Sequence, residues 1–258
     1  MSFAQYYRLA DVMARMALRA DATKFYLGYI WWVLEPMLYV AVLYLVFAVI
    51  LGTRQPDFLF FLMTGKLAYN WFSKSVTLAS NSIVAGKGLV GKINVSKTLF
   101  PLAAVQEGMY KQLAVFTLLA VVLFLGGFKV TVTWIYIIPV VLVNYVMILA
   151  CAYLGATLVC LVRDFQPVIS LTMIFLLFTS GVFWDVRGLG DPDKVEAVLM
   201  ANPLAFMLDA YRQVLMYSTP PDMLHLLSLA AGFGALLCLM VLLMRRHSQF
   251  LALRALTA

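Results

Sequence analysis

The sequence predicts an all-α integral membrane protein with six transmembrane helices. Of its 258 residues, 64% are hydrophobic and only 12% are charged, whereas a soluble domain usually carries about 25% charged residues. The apolar residues gather in runs of roughly 20, the length that a helix needs to cross hydrocarbon. These runs lack the period-two alternation of barrel strands, so helices are the expected way to pair the backbone in lipid.

The first segment, residues 1–29, is expected to form a cytoplasmic amphipathic helix. Arg8, Asp11, Arg15 and Arg19 are three or four positions apart and share one helical face over residues 3–22, while apolar and small residues occupy the rest. A helix of this kind lies in the membrane interface and does not cross the bilayer. The periodicity favours this interpretation over a disordered tail.

Six apolar runs follow, at residues 30–51, 57–75, 101–126, 134–161, 167–186 and 223–244. The second is interrupted by Lys66, Asn70 and Lys74, and the fourth is long enough to tilt or to project into water. Together they form one membrane domain, residues 30–244, followed by a cytoplasmic tail at 245–258.

Positive charge predicts the orientation of these spans. With six spans both termini lie on the same side, and twelve Lys and Arg residues fall on that side. Only five fall on the other: Arg54, Lys129, Arg187, Lys194 and Arg212. Because an excess of Lys and Arg marks cytoplasmic loops, both termini are expected to be cytoplasmic. The net charge of +7 therefore does not indicate a nucleic-acid partner.

The external connection between spans five and six is rich in Gly and Pro. Within it, Leu204 to Met216 are expected to form a short helix, with Asn202 as its N-cap and Pro203 in its first turn. The apolar character of this segment predicts short external re-entrant helices before the last span.

The sequence contains no motif of a hydrolytic, redox or metal-dependent enzyme. Gly86, Gly91 and Lys92 match the start of a phosphate-binding loop, but Ile93 occupies the place of the Ser or Thr that holds Mg²⁺. We therefore expect no enzyme activity and no cofactor in this chain, so energy from ATP would have to come from another chain.

Two features inside the spans are candidates for function. Glu107 and Lys111 are four residues apart in span three, which favours a buried ion pair over a proton relay. Aromatic residues crowd spans one and two and the end of span five. Most aromatics are expected in interface belts or facing lipid, but a pore lined with rings would let an uncharged glycan slide. The channel and gate candidates are Tyr29, Trp31, Trp32, Glu35, Tyr39, Tyr69, Trp71, Phe72, Phe183 and Trp184.

The loop at residues 86–101 is short, basic and interspersed with apolar residues. This composition suits an interfacial helix displayed to a cytoplasmic partner. It suits equally well a basic loop held by lipid head groups.

Four segments in order resemble the polysaccharide-export permeases of the type-2 ATP-binding-cassette class, which export O-antigen and capsule chains. They are KFYLGYIWWVLEPMLYV (24–40), GLVGKINVSKTLFPLAAV (88–105), LVRDFQPVISLTMIFLLFTSGVFW (161–184) and ANPLAFMLDAYRQVLM (201–216). Glu35-Pro36 resembles the capsule-type members, whereas segment 88–105 looks closer to the O-antigen members.

This resemblance implies a homodimer in the bacterial inner membrane, joined to two copies of a separate ATPase subunit that binds ATP and Mg²⁺. The cargo would be a lipid-linked polysaccharide. Contact with the ATPase would involve Lys87, Leu89, Lys92, Ile93, Val95, Lys97, Leu99, Arg163 and Asp164. A permease of the same class for teichoic acid, lipid or drugs is the alternative, as is a passive channel.

Overall fold

A computed structural model describes residues 3–24, 26–50, 52, 57–90 and 96–257, and every regular element within these ranges is helical. The helices are α1 (Phe3–Ala22), α2 (Trp31–Tyr44), α3 (Phe58–Ser80), α4 (Ser82–Ala85), α5 (Lys87–Val90), α6 (Leu99–Leu125), α7 (Ile137–Leu161), α8 (Phe165–Thr179), α9 (Pro192–Ala201), α10 (Pro203–Leu215), α11 (Met223–Arg246) and α12 (Ser248–Thr257). Short 3₁₀ turns precede α2, α7 and α9, and a π-helical turn, Leu45–Ile50, follows α2. The all-α prediction is confirmed for this part of the chain.

Among the residues that the structure describes, four helical segments are long and apolar enough to cross a membrane: Gly28–Phe47, Leu99–Leu125, Val132–Leu161 and Met223–Arg246. They coincide with the first, third, fourth and sixth predicted spans. At the second predicted span, α3 has 23 residues but a lower hydrophobicity. At the fifth, α8 is apolar but has 15 residues, about 22 Å at 1.5 Å per residue, which is less than the hydrocarbon thickness of about 30 Å.

The polar character of α3 follows from its central position. It contacts α2, α6, α7, α8 and α10, and its polar residues Thr64, Lys66, Ser75 and Ser80 are at most 7% exposed. Polar side chains in membrane bundles face the protein interior because exposing them to lipid is costly. Of the residues that made the second span look irregular, Lys66 lies in the core of the bundle, whereas Asn70 is half-buried and Lys74 is exposed.

Glycines allow α3 to approach its two main neighbours closely. A Cβ atom added at Gly108 of α6 would lie 2.3 Å from Ser75 Oγ, and one at Gly155 of α7 would lie 2.1 Å from Ser80 Oγ. Such small-residue contacts are a common means of helix association in membranes. The positions of α6 and α7 against α3 thus depend on these two glycines.

The prediction that span five continues to residue 186 is wrong. Helix α8 ends at Thr179, and Gly181 follows with a φ of 72° in the left-handed region, a conformation that glycine adopts readily. The chain then turns through Val186–Leu189 into α9.

Helix α10 confirms the helix predicted in the external connection. Asn202 Oδ1 accepts hydrogen bonds from the backbone N–H groups of Leu204 and Ala205, at 3.1 and 3.2 Å, as an N-cap does. Every residue from Leu204 to Leu215 is buried, because α10 packs against α3 and α7. It is a core element of the bundle.

The predicted tail contains a packed helix that no sequence pattern indicated. In α12, Leu251 and Ala255 are 2% and 0% exposed and lie one turn apart. The Cys160 thiol of α7 donates a hydrogen bond to the Leu251 carbonyl oxygen at 3.3 Å. Helix α12 also contacts α4 and α5, so it joins the end of α7 to the corner between α3 and α6.

Candidate functional site

A groove of about 910 Å³ runs between α2, α3, α6 and α8, and we call it the aromatic groove. Aromatic rings from α2 and α3 line it together with aliphatic side chains and a few charged groups. Six of the predicted channel residues lie on its walls: Trp31, Trp32, Glu35, Tyr39, Tyr69 and Trp71. The structure therefore gathers most of the predicted set at one place.

The other four predicted channel residues lie elsewhere. Phe72 is 4% exposed in the core, and Tyr29 makes an edge-to-face contact with Trp32 at 4.9 Å without lining the groove. Phe183 stacks on Phe47 at 5.3 Å, beyond the far end of α2, and Trp184 donates a hydrogen bond to the Phe178 carbonyl. Phe72 therefore does not line the groove in this structure.

Lys111 forms the centre of a charged cluster at one end of the groove. Its Nζ lies 2.8 Å from Glu107 Oε1, which confirms the predicted ion pair, and 2.6 Å from Asp21 Oδ2. The same carboxylate accepts a hydrogen bond from Trp32 Nε1 at 3.3 Å. Asp21 lies 90 positions before Lys111, near the end of α1, and no local sequence pattern pairs the two.

Burial by itself would raise the pKa of Asp21. The hydrogen bond from Lys111 and the charge of Lys111 outweigh this effect, so the pKa of Asp21 lies below its ordinary value. Asp21 is therefore ionised at neutral pH, as the ion pair requires.

Two further contacts attach α1 to α6 along the same side. Tyr6 OH donates a hydrogen bond to Thr98 Oγ1 at 2.9 Å, and Tyr110 OH donates one to Asp11. The Tyr110 bond and the neighbouring Arg15 lower the pKa of Asp11, although desolvation opposes them. Because these contacts extend from Thr98 to Lys111, α1 lies along about 20 Å of α6.

The remaining cations of the groove differ in their partners. Lys74 Nζ lies 2.8 Å from Glu35 Oε1. Lys66 is 7% exposed and its Nζ lies between two rings, 5.6 Å from the centroid of Tyr39 and 5.1 Å from that of Tyr69. Within the described ranges, no carboxylate is paired with Lys66.

A second polar cluster lies where α10 meets the turn after α8. Asp209 accepts a bidentate pair of hydrogen bonds from Arg187 and another from Gln213 at 2.6 Å. Arg212 is 2% exposed, and its guanidinium donates a hydrogen bond to the Gly181 carbonyl at 2.8 Å and stacks on Phe61. Arg212, counted above among the cations of the non-cytoplasmic side, is thus a buried cation held by carbonyl groups and an aromatic ring.

The corner between α3 and α6 carries the predicted ATPase contacts. Lys87, Leu89, Arg163 and Asp164 are exposed, and α12 joins α5 to the end of α7 that precedes Arg163 and Asp164. Exposed residues of both segments thus occur at one end of the bundle. The predicted contacts Lys92, Ile93 and Val95 lie outside the described residues.

Two of the predicted contact residues are not on the surface. Lys97 is 4% exposed and Leu99 is 1% exposed, because the chain enters the core as α6 begins. The Tyr153 hydroxyl fixes this entry by donating a hydrogen bond to the Thr98 carbonyl at 2.8 Å. The expectation that Leu99 is displayed to a partner is therefore wrong for this structure.

Metal-binding side chains do not cluster in the described part of the chain, where no group of three or more His, Cys, Asp or Glu residues comes together. The polar features found there are ion pairs, caps and the unpaired Lys66. The ion pairs and caps hold helices and turns in place, and Lys66 is available to contact a molecule in the groove.

Comparison with known proteins places these features in a family. The family model for ABC-2 type transporters matches residues 12–216. The chain is 25% identical to an O-antigen export system permease protein RfbA of Klebsiella pneumoniae, over 83% of this chain and 82% of that protein. It is 28% identical to RfbA of Myxococcus xanthus, over 88% and 87%. It is also 25% identical to the polysialic acid transport protein KpsM of Escherichia coli, over 77% and 78%. The chain therefore belongs to the ABC-2 type transporter family, as a membrane permease with relatives named for O-antigen export and for polysialic acid transport.

Proposed function

We propose that this chain is the permease subunit of an ATP-driven exporter that moves a lipid-linked polysaccharide across the bacterial inner membrane. The observation that carries the proposal is the match of residues 12–216 to the transporter family, together with relatives named for O-antigen export and polysialic acid transport. The aromatic groove supports it, since rings and apolar walls can pass a glycan without a deep binding well.

In this proposal six helices span the membrane, namely α2, α3, α6, α7, α8 and α11, and both termini are cytoplasmic. The interior position of α3 supports its place among them despite its polar residues. Helix α1 lies at the cytoplasmic interface, attached to α6 beside the groove. The short helix α8 can still cross the membrane where the bilayer thins locally or where other parts of the protein cover the segments at its ends.

The working assembly is a homodimer with two copies of an ATPase subunit, which binds ATP and Mg²⁺. Support for a second copy comes from the exposed apolar side chains of α8 beside the groove, among them Val168, Leu171, Ile174 and Phe175. An exposed apolar surface of this extent requires either lipid or another protein. A second copy placed there would close the groove into a channel.

The ATPase contact is the surface around α5 and the α7–α8 corner, including Lys87, Leu89, Arg163 and Asp164, with Lys92, Ile93 and Val95 between the described segments. ATP binding would move this corner, and rigid helices would transmit the motion to the groove. The exposure of the four described residues supports the assignment.

A genetic export assay tests the function. In the source bacterium, deleting the gene should leave the polysaccharide inside the cytoplasm, because the proposed route across the membrane is then lost, and the wild-type gene should restore polymer to the cell surface. Polymer on the cell surface and in the cytoplasm would be measured separately by electrophoresis and staining. Unchanged surface polymer in the deletion strain would overturn the proposed function.

A variant that fills the aromatic groove tests, in the same assay, whether the polysaccharide passes through it. Ser170 of α8 lines the groove, whereas Ser228 of α11 is exposed and does not line it. Ser170→Trp should reduce surface polymer strongly, and Ser228→Trp should leave it near the wild-type amount at equal protein level. Equal export by both variants would contradict the groove as the path.

A further inference from the structure

Lys66 differs from every other charged residue of the aromatic groove. Lys111 is neutralised by Asp21 and Glu107, and Lys74 by Glu35. Lys66 is 93% buried yet lines the groove, and no carboxylate in the described ranges forms an ion pair with it. The charged neighbour on its own helix is the cation Lys74, which repels it. A buried unpaired charge is costly, so such groups are normally paired or have a ligand.

The surroundings of Lys66 define what could pair with it. Tyr39 and Tyr69 flank its ammonium group with their rings, and the Tyr69 hydroxyl is already used, since it donates to the Met173 carbonyl. Leu67, Met173, Ile174 and Leu177 add apolar wall on either side. The site therefore offers one positive charge with hydrogen-bond donors, surrounded by apolar and aromatic surface.

This combination fits an amphiphile with one anionic group. A phosphate ester supplies oxygens that an ammonium binds as a point charge, and an attached hydrocarbon chain would contact the aliphatic wall. A free inorganic anion would gain the charge contact but would leave the apolar surface uncovered. A neutral glycan would leave Lys66 without a counter-charge.

We propose that Lys66 binds the phosphate ester of the amphiphilic cargo as it lies in the aromatic groove. Lys66 is then a specificity-determining residue, because it distinguishes a phosphate-bearing lipid from its uncharged analogue. This inference rests on the proposed export function and adds the chemical group by which the cargo is held.

Binding by the purified full-length chain tests the inference in a maltoside detergent, which contains no phosphate. Hexadecyl phosphate would be the probe, and the fluorescence of Trp31, Trp32 and Trp71 on the groove wall would report binding. The wild-type protein should bind hexadecyl phosphate saturably. Its affinity for hexadecanol should be lower by at least about tenfold, as expected for the loss of one charge-assisted contact. Equal binding of the alcohol would overturn the proposal.

Variants separate the charge of Lys66 from its bulk. Lys66→Met keeps the length and should lower affinity for hexadecyl phosphate about tenfold or more, whereas Lys66→Arg should keep most of it. Lys129→Met removes an exposed cation away from the groove and should change nothing. Thermal melting of each variant would show that it is folded. Unchanged affinity in Lys66→Met would overturn the proposal, as would an equal loss in Lys129→Met.

Competitors identify the source of the anionic group. Dihexadecanoyl phosphatidylglycerol represents a bilayer lipid, and trigalacturonate represents a carboxylate on a glycan. Phosphatidylglycerol also carries a phosphate ester and should compete no better than hexadecyl phosphate itself, and trigalacturonate should not compete. Tight competition by trigalacturonate, or tighter competition by phosphatidylglycerol than by hexadecyl phosphate, would overturn the assignment to a cargo phosphate. Because binding requires neither an ATPase nor transport, its failure would leave the deletion and export result, and hence the proposed function, unaffected.

Discussion

At the scale of single residues, the attachment of α1 depends on carboxylates that remain ionised. The pKa values of Asp11 and Asp21 are both lowered, the first mainly by the hydrogen bond from Tyr110 and the second by Lys111 against the opposing effect of burial. A group whose pKa falls on folding stabilises the folded state above its unfolded pKa and loses that effect as the pH falls through its folded pKa. Attachment of α1 should therefore be complete at neutral pH and lost only at pH values below 3.8.

Asp21→Asn should loosen α1 without unfolding the bundle. The change removes one of the two carboxylates that pair with Lys111, and with it the charge contact that joins α1 to α6, while Glu107 remains as the partner of Lys111. In a background without native cysteines, Ala14→Cys, which is fully buried in wild type, should react faster with a maleimide when Asp21→Asn is present. Asp193→Asn, an exposed residue of α9, is the matched control. Equal reaction rates in all three proteins would show that the cluster does not hold α1.

At the scale of helices, the bundle depends on close approaches to α3. Gly108→Ala would place a Cβ atom 2.3 Å from Ser75 Oγ, and overpacking of this kind costs about 1–3 kcal/mol. Adding Ser75→Ala removes that oxygen and leaves the nearest remaining side-chain atom at 3.3 Å. The Ser75 hydroxyl has no hydrogen-bond partner in the described structure, so its removal costs little.

Thermal melting of purified protein would measure this effect. Gly108→Ala should lower the melting temperature, and the double variant should recover most of the loss. Gly234→Ala on α11 has open space around the new atom and should melt at or above the wild-type temperature. A Gly108→Ala protein as stable as wild type would mean that α3 and α6 can separate at this point without cost.

Helix boundaries were predictable from sequence wherever a local signal marked them. The face shared by Arg8, Asp11, Arg15 and Arg19 predicted α1, and Asn202-Pro203 predicted the start of α10. Helix α12 was missed because it is short and is stabilised by packing of Leu251 and Ala255 on α7, which no local pattern reports. The end of α8 was placed seven residues too late, at 186 in place of 179, because the apolar run continues past the turn at Gly181.

The site was predictable only in part, because its members meet through tertiary contacts. Periodicity within one helix revealed the pair Glu107 and Lys111, but Asp21 comes from another helix and only the fold brings it there. Composition identified the aromatic residues as candidates, but it could not distinguish those that line the groove from Phe72, which lies in the core. Lys66 looked like an interruption of a span, and its unpaired position between two tyrosines could be recognised only in the structure.

At the scale of the whole molecule, the groove and the corner around α5 are connected through α6. The segment before α6 is fixed by Thr98, which interacts with both Tyr6 of α1 and Tyr153 of α7. Farther along α6, Lys111 holds Asp21 beside the groove. A movement of the corner would therefore reach α1 and the groove wall through one helix, which is the coupling that an ATP-driven permease needs.

The most direct test of this account is the side of the membrane on which Leu89 lies, because a cytoplasmic ATPase can act only on a cytoplasmic corner. Leu89→Cys and Lys194→Cys, both at exposed positions, would be introduced separately into a cysteine-free chain and treated with a membrane-impermeant maleimide. We predict that intact spheroplasts label only position 194 and inverted vesicles only position 89. Labelling of position 89 from outside the spheroplasts would contradict the account.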